Sequence, residues 1–139
     1  MLTTLLSIAL ATSTMTPSEH LTLHAKTASF AVFVPDESAV GYVLTAFEVG
    51  DVQGRSVVHL TFTNKKALNS FELLEYEGKG PAGSGLKSIL GANVFAVSTM
   101  EDDTVVSIRK GKTDISLVGS QISDPSAKKM LERFVPARP

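Results

Sequence analysis

Two short runs near the end of the chain constrain its fold more than any other part of the sequence. Thr104 to Arg109 and Asp114 to Gly119 face each other across Lys110-Gly111-Lys112, and a helix-start signal follows them. Val106 and Ile108 alternate with Ser107 and Arg109, and Ile115 and Leu117 alternate with Ser116, so each strand has one apolar face. Gly111 supplies the positive φ of a tight hairpin. In Ser123-Asp124-Pro125, Asp124 is the expected N-cap and Pro125 the first helical residue, where its missing N–H costs nothing. Ala127, Met130, Leu131 and Phe134 then recur on one face, with Lys128, Lys129, Glu132 and Arg133 on the other, and Pro136 stops the helix. A helix of about three turns with one apolar stripe is not stable alone and must dock on a sheet.

More strands precede this unit. Phe30, Val32 and Val34 alternate with Ala31 and Phe33, so both faces are apolar, the pattern of an interior strand, and Pro35 ends it. Tyr42 to Val49 and Ser56 to Asn64 read as strands joined by a hairpin loop, Gly50-Asp51-Val52-Gln53-Gly54. Val58, Leu60 and Phe62 supply the inward face of the second, and His59, Thr61 and Thr63 face the other way. Ser70 to Glu77 and Asn93 to Thr99 are further strand candidates, with a Gly-rich segment from Gly78 to Gly91 between them and one helical turn around Leu86 to Leu90. Near the start, Thr16-Pro17-Ser18-Glu19 has the form of a capping box, while the alternation of Leu21, Leu23 and Ala25 offers a competing strand from His20. The expected fold is α+β: a mainly antiparallel sheet of six or seven strands, with the C-terminal helix packed on one face.

The 139 residues suffice for one globular domain, taken here as residues 16–139. Thirteen basic and 14 acidic residues are interspersed along the chain, which leaves no electrostatic footprint for nucleic acid. With no cysteine, disulfides, thiolate metal sites and cysteine nucleophiles are excluded. Met1 to Thr16 has no charged side chain and contains the apolar run Leu5 to Ala11, which has the character of a signal peptide's core, with Ala9-Leu10-Ala11 as its cleavage site. That run is too short to span a bilayer, so no transmembrane span is expected; residues 1–15 read either as a signal peptide of a periplasmic or secreted chain or, with no Lys or Arg in the n-region and so short a run, as an apolar N-terminal segment of a cytoplasmic one.

Catalytic patterns are sparse. Gly80-Pro81-Ala82-Gly83-Ser84-Gly85-Leu86-Lys87-Ser88 would be a phosphate-binding P-loop if Leu86 were deleted, but the extra residue turns Lys87 by about 100° on a nascent helix, so a flexible connection is expected. His20 and His24 are four apart, with His59 or an acidic residue as a third candidate metal ligand, yet no glutamate stands between the pair as a zinc protease requires; exposed polar roles near the N-terminus are expected for the pair. There is no Gly-x-Ser-x-Gly elbow, and Glu101-Asp102-Asp103 lacks calcium-loop spacing and reads as a turn. Arg109, Lys110 and Lys112 form a small basic hairpin tip, the candidate contact for an acidic partner. No catalytic residue, metal site or cofactor is assigned.

Taken in series, Phe30 to Pro35 with Gly41-Tyr42, Val57 to Phe62, Ser70 to Glu75, Gly91-Ala92-Asn93-Val94-Phe95, and Asp114 to Gly119 with the helix to Phe134 resemble the C-terminal domain of MucB/RseB-type periplasmic regulators of anti-sigma factors and related extracytoplasmic modules of anti-sigma factors and lipoproteins. The resemblance covers about Ser29 to Val135. Ala39-Val40 and Phe62 depart from it, where those modules often carry a second proline and a tyrosine, and with no cysteine in the sequence a lipoprotein anchor is not expected. It implies a non-enzymatic extracytoplasmic module that binds a protein partner, such as a membrane-bound envelope or anti-sigma protein. Strand addition to an exposed sheet edge is one mode open to such a module, with Val94 to Thr99 as a candidate not ranked above other edges. Two alternatives stand beside it: a carrier of a small apolar ligand lined by Met130 and Phe134, and a small hydrolase using His59 or the His20/His24 pair with a metal.

Overall fold

In the two-residue turn Gln53-Gly54 both central residues have positive φ, 54° and 79°, the requirement of a type I′ hairpin. The side chain of Asp51 accepts a hydrogen bond from the Gly54 N–H at 2.9 Å and closes it. The strands therefore run further than the expected five-residue loop allowed: β2 spans Tyr42–Val52 and β3 spans Arg55–Asn64. Asn64 then bends the chain by accepting from the N–H groups of Lys66 and Ala67, and β4 follows at Asn69–Glu77. The hairpin of β5 (Thr104–Lys110) and β6 (Thr113–Gly119) turns at Gly111, whose φ is 58°. Together these strands make an antiparallel sheet in the order β2-β3-β4-β6-β5. The computed structural model describes residues 15–36, 41–67, 69–97 and 99–138, so the proposed signal cleavage site lies outside the described residues.

One face of the sheet carries the main core. Val58, Leu60, Phe71, Leu73, Ile115 and Leu117 project from its strands and are buried. Helix α1 (Pro17–Ala25) lies along β2 and contributes Leu21, and its N-cap is the Thr16 hydroxyl, which accepts from the Glu19 N–H at 3.2 Å. The capping box thus prevails over the competing strand pattern. Helix α3 (Asp124–Glu132) covers β5 and β6 and buries Ala127 and Leu131, while Phe134 follows it into the same core. Its cap is Ser123, one residue before the expected Asp124: Ser123 has extended backbone angles and accepts from the Ser126 N–H at 3.3 Å. Asp124 instead sits in the first turn, where the helix dipole favours its charge. Ser123→Ala should lower stability by about 1 kcal/mol, read as an earlier urea midpoint with an unchanged m-value.

Residues 30–34 are not an interior strand. Only β1 (Phe33–Val34) is extended and paired, and its partner is β7 (Val135–Pro136), in a separate two-stranded sheet. The segment is apolar on both sides because it lies as a strap over the core face, burying Phe30 and Val32. Its polar backbone is tied down along its length. The Phe33 N–H donates to Glu75 Oε1 at 2.7 Å, the Thr113 hydroxyl donates to the Ala31 carbonyl, and the Ala137 N–H donates to the Val32 carbonyl at 2.7 Å.

The opposite face has a smaller apolar cluster, in which Val52, Val57, Leu74 and Tyr76 pack under Leu86 and Ile89 of the short helix α2 (Leu86–Gly91). The strand expected at Asn93 to Thr99 does not form among the described residues there. Asn93 takes a positive φ of 54°, which turns the chain so that Phe95 lies down on the sheet instead of pairing with its edge.

Candidate functional site

His59 stands in the middle of this second face, as its alternation with Leu60 requires, and it is buried rather than exposed. Its Nε2 lies 2.8 Å from Glu72 Oε1, within hydrogen-bond distance, and its Nδ1 lies 3.6 Å from Glu48 Oε2 with no hydrogen-bond partner. The Phe95 ring covers it with centroids 5.1 Å apart. With 5% of its surface accessible, the imidazole is largely covered. His20 and His24 lie on α1, and His24 packs its ring against Phe47, on the core side of the sheet. Partial burial holds the His24 pKa below the usual imidazole value of 6.5. The pair and His59 are therefore on opposite sides of a β-sheet and do not converge. Among the described residues, no three His, Asp or Glu side chains come together as a metal site.

The basic hairpin tip is largely committed to the fold. Arg109 donates to Asp114 through Nε at 2.6 Å and Nη2 at 3.2 Å, a two-pronged pair with a wholly buried carboxylate. Asp114 also accepts from the Gly83 N–H at 3.0 Å, so the Gly-rich segment is pinned to β6. Lys110 Nζ donates to the carbonyls of Glu132 and Phe134 at 2.8 and 2.7 Å, neutralising the end of α3. Lys112 alone of the three remains exposed without a side-chain contact among the described residues. In the acidic run, Asp103 accepts from the Met100 N–H at 2.7 Å, and Asp102 and Glu101 form an exposed turn.

The sheet has two edge strands, β2 and β5, and β2 is the longer. This strand is eleven residues long, and no strand pairs with its outer side among the described residues. A bulge between Leu44 and Ala46 interrupts its pairing with β3, and Thr45 fills the irregularity by donating to the Thr61 carbonyl at 3.3 Å. Beyond the bulge, Ala46 to Val52 pair without a break and leave seven residues of regular edge. Val49, with 48% of its surface exposed, and Val43 are its large apolar side chains in solvent. Its charged residues, Glu48 and Asp51, are both acidic. Hydrophobic alternation identified the strand, but strand order decides which strand is an edge, and order has no local signal.

No protein-family model matches the chain and no curated protein does, so a reading of its function rests on the residues themselves.

Proposed function

We propose that this chain is a non-enzymatic, extracytoplasmic module that binds a protein partner by adding a strand of that partner to the β2 edge. The observation that carries the reading is the regular, unpaired run Ala46 to Val52, with exposed Val49 and acidic Glu48 and Asp51. An added strand gains main-chain hydrogen bonds along such an edge, and alternate side chains give specificity. The charge of the edge favours a partner segment in which apolar residues alternate with lysine or arginine. Export is supported by the apolar run Leu5 to Ala11, and the resemblance to MucB/RseB-type domains supports a membrane-bound envelope or anti-sigma protein as the partner.

Affinity capture from the host envelope, run in parallel with wild type and Val49→Lys, tests this reading. Like charges forced together at an interface cost several kcal/mol, so a partner held near-stoichiometrically by wild type should bind the variant about tenfold more weakly or worse. Equal recovery by both proteins would rule out the β2 edge. The His59–Glu72 contact is what favours the second reading, a histidine-based hydrolase. Turnover by the purified protein that His59→Ala abolishes would establish that reading against the binding one. The ligand-carrier reading, with Met130 and Phe134 as its lining, is tested by native mass spectrometry, where co-purified lipid would favour it; Phe134 is buried in the core and Met130 is partly buried against it.

A further inference from the structure

Arg55, the first residue of β3, differs from Arg109 in one respect: it forms no ion pair with any carboxylate among the described residues. Its guanidinium carbon lies 5.4 Å from the centroid of the Tyr76 ring, and Tyr76 is itself wholly buried. This stacking holds the cation on the second face of the sheet. The Gly-rich segment passes directly over it. A Cβ at Gly85 would run into Arg55 Nη1 and would stand 3.0 Å from the Tyr76 ring, so the guanidinium fits there because residue 85 is glycine.

Beside Arg55 is a cavity of about 170 Å³ whose walls include Gln53, Ser84, Gly85 and Ser88, with Val52 and Ile89 closing its apolar side. No carboxylate lines it among the described residues. The Ser84 hydroxyl is already used, donating to the Lys79 carbonyl at 3.0 Å, and together with the Gly83 to Asp114 bond it fixes the loop. The Ser88 hydroxyl, the Gln53 amide and the Arg55 guanidinium remain as donors around the space. Since a water occupies roughly 30 Å³ of liquid, the cavity has room for a small oxyanion. Glu77 and Lys79 line a neighbouring cavity that shares Gln53 and Arg55 with this one, and neither forms an ion pair with Arg55.

From these features we infer that the chain has an oxyanion site of the phosphate class, built on Arg55 between the β2–β3 turn and the Gly-rich segment. Arginine suits this use because its planar fork donates two parallel hydrogen bonds to a phosphoryl group. The sequence of the Gly-rich segment approximates a P-loop, but the cation of this site comes from β3, and Lys87 does not line the cavity. The cavity borders the end of the β2 edge through Val52, but its cation comes from β3 and Val49 does not line it, so phosphate binding is tested separately from the partner reading.

Titration calorimetry with inorganic phosphate at constant ionic strength, using the full chain, tests the inference. Wild type should bind saturably. Arg55→Gln should weaken binding about tenfold or more, the usual effect of losing charge-assisted hydrogen bonds. Gly85→Ala, whose backbone φ of −84° suits alanine, should also weaken it by displacing the guanidinium, and circular dichroism should show both variants folded. Lys87→Gln should bind as wild type does. An absence of saturable binding by wild type, equal binding by Arg55→Gln, or loss of binding on Lys87→Gln would each overturn the proposal, as would acetate binding more tightly than phosphate. Methyl phosphate separates the two sources of the group: equal or tighter binding assigns a phosphoryl ester, and weaker binding assigns the free ion.

Discussion

Leu117→Ala is expected to destabilise the protein by roughly 2–5 kcal/mol, a large share of the total for a domain of this size. Leu117 is wholly buried on β6, with Leu73 of β4 and Val106 of β5 as its neighbours in register. Above it the core is closed by α3 through Ala127 and Leu131. The flanking strands are fixed by their hydrogen-bond ladders, so the walls of the new cavity cannot collapse, and its cost adds to the lost transfer free energy. Val105→Ala is the matched control, because Val105 is on β5 with 42% of its surface exposed and should cost under about 1 kcal/mol. Urea unfolding of the three proteins provides the comparison. A Leu117→Ala loss no larger than the control's would mean that α3 does not dock on this face.

The other large effect is a gain. Glu75 is wholly buried beneath the strap, with Oε1 accepting from the Phe33 N–H and Oε2 without a partner. Burial raises its pKa well above the ordinary glutamate value of 4.5, and the Phe33 hydrogen bond opposes that only in part. The folded protein therefore keeps this proton at pH values where the unfolded chain has released it. The stability that goes with it is complete below about 4.5 and is lost as pH rises through the folded value, at up to about 1.4 kcal/mol per pH unit. Glu75→Gln keeps an acceptor for Phe33 and cannot ionise, so it should remove this decline and be more stable than wild type at neutral and alkaline pH. Unfolding free energies measured from pH 4 to pH 9 should show the two curves diverging upward in pH. Parallel curves would show that Glu75 does not hold its proton in the folded state.

Where the signal was local, the sequence was sufficient. The alternation in β3, β4, β5 and β6, the turn at Gly111 and the stripe of α3 each depend on residues a few positions apart, whereas at α1 the capping pattern from Thr16 and the alternation from His20 left helix and strand open. The burial of Glu75 had no such signal: it shares strand parity with Phe71 and Leu73, but Leu74 and Tyr76 make the other face of β4 apolar as well. Phe30 to Val34 misled because apolar side chains on both sides fit an interior strand and a strap over a core equally well. Val94 to Thr99 misled because alternation does not say whether a segment pairs with a neighbour or lies across a sheet face. His59 was placed on the correct face, but the ring that covers it comes from a residue 36 positions away, Phe95. Arg55 had no signal at all: one arginine at a strand start becomes a candidate site only once Tyr76 and Gly85 are known to surround it.

The pairing of β1 with β7 also has a kinetic meaning. The hairpins of the main sheet join segments that are close neighbours in sequence, whereas Phe33 meets Pro136 only after every strand of that sheet has been threaded between them. Loop-closure entropy grows with separation, so contacts of this kind are formed late on the way to the native state. Phe30 and Val32, buried by the strap, are thus expected to be covered late and released early, which stopped-flow kinetics of Val32→Ala would show as faster unfolding at an unchanged folding rate. Strengthening the seal around Ala137 and Val32 would slow unfolding and leave the folding rate almost unchanged.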